Sequence, residues 1–199
     1  MRNQVLPRSC TGVRRNNAFT LIELIVVVGI IAILSALVLS TVGYARKKAA
    51  RARAETEIAA MSAACESYKT DNGVYPSNVV TNGLDARTMG NPTGTTDPTY
   101  SNTSLYLYIT LSGDTAGNRN PTGKSYMSFK PNMLLPPGGT GNVTAIADPF
   151  GNSYGYSTIQ AATQDTTKGY NPMFDLWSTA SLTTSPPSAQ DQNQWIKNW

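Results

Sequence analysis

An acidic residue, Glu23, stands at the head of a run of sixteen residues, 24–39, in which no charge occurs. The segment 19–42 is 24 residues long and rich in helix formers, enough at ~1.5 Å per residue to cross a hydrocarbon core of ~30 Å with some tilt. A carboxylate just inside such a helix costs a few kcal/mol to place in lipid, so it marks a functional group that needs a partner. The candidate partner is an α-amine. A chain cut before Phe19 carries a new ammonium about four residues of helix, ~6 Å, from Glu23. On the other side of that point, residues 1–18 hold Arg2, Arg8, Arg14 and Arg15 and no acid, so a basic leader meets the apolar helix at Ala18-Phe19. An ordinary export signal, with 24–39 as apolar region and Gly43-Tyr44-Ala45 as cleavage triplet, leaves Glu23 without a role.

The run Arg14-Arg15-Asn16-Asn17-Ala18-Phe19-Thr20-Leu21-Ile22-Glu23 resembles the class III signal of type IV pilins and of the pseudopilins of type II secretion systems. That resemblance implies a prepilin peptidase that cuts between Ala18 and Phe19 and methylates the Phe19 amine. It also implies that Glu23 of one subunit pairs with the amine of a neighbour during filament assembly. Further along, Lys69-Thr70-Asp71-Asn72-Gly73-Val74-Tyr75-Pro76, the turn Asp148-Pro149-Phe150-Gly151-Asn152 with Ser153-Tyr154-Gly155-Tyr156, the stretch Phe174-Asp175-Leu176-Trp177-Ser178 and the ending Asn198-Trp199 are similar to segments of the major pseudopilin. The resemblance covers about 19–76 and 148–199. The function it implies is structural, without catalysis: a filament subunit whose partners are the prepilin peptidase, identical and related pilin-like subunits, and the inner-membrane platform of the machinery. It implies a single pass through the inner membrane with a periplasmic head.

Three departures stand out. Ala18 occupies a position that is usually Gly, and Ser40 one that is often Pro. The segment 179–194, acidic and Ca²⁺-binding in the major pseudopilin, holds Asp191 as its one acid. Hard-oxygen ligation with so little charge is weak, so Ca²⁺ is disfavoured and no metal ligands are assigned. Two other functions fit the chain less well. One is a type IV pilus pilin serving adhesion, motility or DNA uptake; the other is a membrane-anchored exported binding domain, with Trp177, Trp195 and Trp199 as candidate glycan contacts.

Composition narrows the chemistry. The formal charge is +4, from 16 Lys and Arg against 12 acids, but four of the bases lie in 1–18 and the remainder is balanced. No nucleic-acid partner is expected. Arg46, Lys47, Lys48, Arg51 and Arg53 form a cluster just past the apolar segment, read as a solvated flank, and they leave the positive-inside count near even. The chain has no His, which removes Ser-His-Asp and Cys-His catalysis and His-ligated zinc. Cys10 lies in the leader and Cys65 in a helical pattern, so the mature chain makes no internal disulfide. Asp148, Asp165, Asp175 and Asp191 are scattered among turns, where Asp usually bonds its own backbone.

The expected architecture is α+β: one long N-terminal helix packed on a small antiparallel head. Its divisions are a leader 1–18, a membrane or filament-core helix 19–42, an amphipathic helix 43–72 and a head 73–199. Ala54, Ile58, Met61, Cys65 and Tyr68 form the apolar stripe of the amphipathic part, Ser40, Thr41 and Gly43 mark its weakest junction, and Asn72-Gly73 is suited to end it. A loop is expected over 75–100. The alternation of Leu105, Leu107, Ile109 and Leu111 with Tyr106, Tyr108 and Thr110 predicts a strand over 104–111, and shorter strands are predicted at 125–130, 153–159 and 173–178.

Overall fold

The computed structural model describes residues 19–92 and 97–199, so the expected leader lies outside the described residues. The chain divides into two compact units, Met1–Ala45 and Arg46–Trp199, and helix α1, Leu21–Asn72, contributes to both. In the first unit α1 is apolar on every side, and its large side chains are exposed, from Leu21 through Leu39. A helix apolar all round is made for an apolar surround, and this one is long and apolar enough to cross a membrane. The helix continues through Ser40 and Gly43, where the sequence is weakest.

In the second unit α1 becomes one-sided. Ala54, Ile58, Met61 and Cys65 are buried at helical spacing, and Tyr68 packs partly buried at the end of the stripe. Against them lie Leu107 and Leu111, Ile146, Tyr154, Tyr156 and Leu176, which close the main core. One carboxylate enters this interface: Glu57 accepts from the Tyr154 hydroxyl at 2.8 Å and pairs with Arg53 at 2.6 Å. Burial pushes the Cys65 thiol up to about 12, leaving it a small inert core residue. The helix stops as expected, with the Gly73 N–H donating to the Lys69 carbonyl at 2.7 Å and Gly73 at φ +78°.

The predicted strand 104–111 is a helix. Helix α2, Pro98–Ser112, starts on Asp97, whose carboxylate accepts from the Thr99 and Tyr100 N–H groups, and ends at Gly113 in the left-handed region. Its buried residues, Tyr100, Thr103, Ser104, Leu107, Tyr108, Leu111 and Ser112, recur every three and four positions. Two polar members of that face, Thr103 and Ser104, hide the helical period and let the two-residue alternation stand out. Ser104 earns its burial by bonding both backbone groups of Ile146, accepting from N–H at 2.8 Å and donating to C=O at 3.3 Å. Gly113 is required twice over, since its φ is +74° and a Cβ would press on the Gly123 and Lys124 carbonyls.

Strands β1 (Leu134–Leu135) and β2 (Ala145–Ile146) form an antiparallel pair. Strands β3 (Gly155–Ser157), β4 (Asp175–Ser178) and β5 (Ile196–Lys197) form an antiparallel sheet in the order β3-β4-β5. Tyr156 and Leu176 belong to the main core, whereas Trp177 belongs to a second cluster with Leu84, Ala86, Tyr100 and Trp195. All four residues of β4 are therefore buried. The predicted strand 153–159 shrinks to β3 plus a bridge between Ala147 and Ser153, and helix α3 (Ile159–Thr163) takes over its end. The predicted strand 125–130 does not form, because the Tyr126 and Met127 N–H groups both turn to the Leu111 carbonyl at the end of α2. Helix α4, Ala189–Gln194, precedes β5. The architecture is α+β, one long helix with small antiparallel sheets in the head.

Candidate assembly site at the start of the long helix

Of the sequence-assigned site residues, Phe19 and Glu23 are described and Ala18 lies outside the described residues. Thr20 and Glu23 form a reciprocal cap. Glu23 Oε2 accepts from the Thr20 N–H at 2.9 Å and from its hydroxyl at 2.8 Å, while the Glu23 N–H donates back to Thr20 Oγ1 at 3.3 Å. This is a capping box, in which the acid satisfies donors that the first turn of a helix otherwise leaves open. Besides the outside cation that the sequence leads one to expect, Glu23 has this local partner, written in the Thr-x-x-Glu spacing of Thr20 and Glu23. Both bonds to Thr20 fall on Oε2, and among the described residues no side chain reaches Oε1. Phe19 is 85 % exposed and Ile22 69 %, so the carboxylate sits in an open apolar groove with Phe19, Val26 and Val27. The arrangement holds an anion in place and leaves one of its faces for another molecule.

The head has a different kind of order around the segment assigned to Ca²⁺ in pseudopilins. Its donors do not fit that ion, which takes ~6–8 oxygens and several carboxylates. Asp191 is consumed by the cap of α4, accepting from the Ser188 hydroxyl at 2.7 Å and N–H at 3.1 Å. Asp175 accepts from the Tyr170 and Asn171 N–H groups at 2.9 and 2.8 Å. Among the described residues no three His, Cys, Asp or Glu side chains gather as a metal site. The segment is closed by amides and rings. The Tyr170 hydroxyl donates to Gln192 Oε1 at 2.5 Å, and Gln192 Nε2 donates to the Ala86 carbonyl at 3.0 Å. Trp199 stacks on Tyr170 at 4.7 Å, Trp195 stacks on Trp177 at 6.1 Å, and Trp199 meets Trp177 edge-on. Trp177 Nε1 donates to the Tyr100 hydroxyl, which donates to the Met89 carbonyl. Trp177 and Trp195 are thus interior side chains, unsuited as a glycan platform.

The other acids are also engaged locally. Asp148 Oδ1 accepts from the Phe150 and Asn152 N–H groups and Oδ2 from the Ser178 hydroxyl; burial pushes its pKa up while these donors hold it down. Asp165 accepts from Thr167. Burial pushes Asp175 up to about 6 against the pull of its two N–H donors.

An apolar helix opens on an exposed aromatic and a capped acid and is followed in the chain by a small antiparallel head, an α+β architecture consistent with a pilin-like fold. The prokaryotic N-terminal methylation motif matches residues 13–39 of this chain. The chain is similar to type II secretion system core protein G of Pseudomonas aeruginosa, 42 % identical over 94 residues, which cover 47 % of this chain and 64 % of that protein. It is similar as well to the core protein G of Aeromonas hydrophila, 38 % identical over 43 % of this chain and 57 % of the relative, and of Vibrio cholerae, 41 % identical over 32 % and 43 %. The matches span less than two thirds of the length of each of these relatives. No solved structure matches the chain.

Proposed function

We propose that this chain is a structural, non-catalytic subunit of a type II secretion pseudopilus. A prepilin peptidase cuts it between Ala18 and Phe19 and methylates the new Phe19 amine. The subunit then waits in the inner membrane as a single-pass protein, head in the periplasm, until the secretion platform adds it to a filament of identical and related subunits. The observation that carries this reading is the coincidence of the methylation motif with an acid, Glu23, at the first turn of a helix whose next sixteen residues carry no charge. During assembly the Phe19 ammonium of one subunit meets the outward face of another subunit's Glu23 carboxylate. In low dielectric a subunit out of register would leave one charge bare, so the pair sets register.

Intact-mass spectrometry of the membrane-extracted protein tests the reading. The expected mass corresponds to a chain beginning at Phe19 plus one methyl group. A chain beginning at Arg46 assigns it to ordinary signal-peptidase export, and an uncut chain to a plain membrane anchor; either result overturns the proposal.

A further inference from the structure

Five bases fall within 46–53, directly after the uncharged segment, and the head uses two of them. Arg53 pairs with Glu57 at 2.6 Å, and Arg51 Nη1 donates to the Gln194 carbonyl at 2.7 Å. Arg46, Lys47 and Lys48 are exposed and make no ion pair or hydrogen bond among the described residues. We propose that these three side chains are a binding collar for the phosphates of anionic phospholipids, gripping the leaflet on the head side of the membrane. The proposal rests on the membrane placement given above.

Three observations support a lipid over a protein partner. Reach comes first. Arg46 is four residues and Lys48 six beyond position 42, and even a fully extended chain spans only ~3.3–3.6 Å per residue. All three therefore stay within side-chain reach of the headgroup layer at whatever angle the head takes. Direction comes second. Successive residues of an α-helix point ~100° apart, so Arg46, Lys47 and Lys48 fan over roughly 200° of the circumference of α1. One protein face cannot cover such a fan, whereas a layer of headgroups surrounds the helix. The third is Tyr44, 74 % exposed and two residues before the collar, an aromatic of the kind that settles at a membrane–water boundary. Bases on the exported flank of a span also work against the usual retention of positive charge on the cytoplasmic side. The phosphate chemistry suits them, with Arg46 able to bond two phosphate oxygens at once and the lysines acting as point charges.

The test uses the chain from Phe19 to Trp199, which lacks the leader bases Arg2, Arg8, Arg14 and Arg15, in nanodiscs of mixed phosphatidylcholine and phosphatidylglycerol, reading association of spin-labelled versions of each lipid. The expected preference for phosphatidylglycerol is about fivefold for each base that meets a headgroup, shrinking at high salt. Replacing all three, Arg46→Gln with Lys47→Gln and Lys48→Gln, should bring the preference to unity with the head's Tm unchanged. The charge-keeping set Arg46→Lys, Lys47→Arg and Lys48→Arg should retain it. Equal association of the two lipids with the unaltered protein overturns the proposal, as does a preference that survives the triple Gln change. Loss of preference on adding inorganic phosphate at matched ionic strength would mark a free-anion site and overturn it too. Both leaflets of a nanodisc carry the same lipids, so the result does not depend on which side the head lies, and starting the chain at Phe19 makes it independent of whether the protein is processed in the cell, which intact mass decides separately.

Discussion

Leu39 and Leu107 are the same residue on two helices of one chain, and the first is 73 % exposed while the second is fully buried. The contrast holds for whole regions. From Leu21 to Leu39 the apolar side chains are exposed among the described residues, whereas past Arg46 the stripe of α1 is closed by the head. Polar groups divide the same way. Glu23 is held by one neighbour and keeps a free face, while Glu57, Asp148 and Asp175 spend their oxygens on partners inside the head. In the proposed function the N-terminal region is completed by lipid or by other subunits, whereas the core of the head is closed by its own residues.

The largest effect that can break this contrast is at Glu23. The Glu23→Ala protein should insert and be cleaved, since removing an intramembrane acid eases insertion, yet its incorporation into filaments should fall at least ~10-fold, as expected for loss of a paired charge in low dielectric. Counting filaments and cleaved subunits side by side checks it; normal filament yield would end the pairing idea. The mirror-image change is Trp177→Ala, which empties the centre of the second cluster. It should cost the head about 3–5 kcal/mol and lower its Tm by about 10 °C, with insertion and cleavage intact. A Tm within a degree of the parent protein would mean the ring cluster is not what closes the head.

Asp175 gives a smaller effect with a defined sign. Its folded carboxyl, at about 6, lies above the ordinary 3.8, so the native state binds the proton more tightly than the unfolded chain. The associated stability is full below about pH 4 and is lost as pH rises through 6, amounting to about 2–3 kcal/mol. Asp175→Asn should flatten that stretch of the stability curve, whatever it costs in absolute terms. Denaturant titrations at pH 4, 5, 6 and 7 on both proteins would show it, and parallel curves would refute it. The smallest effect concerns Ca²⁺. Because the loop donors are engaged elsewhere, exchanging millimolar Ca²⁺ for chelator should leave Tm within about 1 °C; a rise of several degrees on adding the ion would show a site in the loop after all.

Legibility followed how each signal is written. The capped end of α1 at Asn72-Gly73, the stripe Ala54-Ile58-Met61-Cys65 and the strand within 173–178 were readable because each depends on residues close in sequence. Helix α2 was not read, although Asp97-Pro98 and Gly113 bracket it, because its buried face includes Thr103 and Ser104 and only the alternating leucines declared themselves. The short strands depend on partners far along the chain, and 125–130 lost its strand to a distant carbonyl, that of Leu111. At the candidate site Glu23 stands out in the sequence by polarity, as the one charge at the head of an apolar run, and Phe19 through the pilin-like resemblance of the residues around it. The Thr20 bond is equally local, three residues from Glu23, but the isolated charge in an apolar run is the louder signal.

That bond bears on turnover. On the proposed assembly, a subunit in the bilayer has Glu23 Oε2 held by Thr20 and keeps that bond when the other face of the carboxylate meets a neighbour's ammonium, so joining or leaving the fibre never strips the acid bare. Thr20 thus bears on how far the pool and the polymer stand from balance, a property of the population that no single folded chain displays.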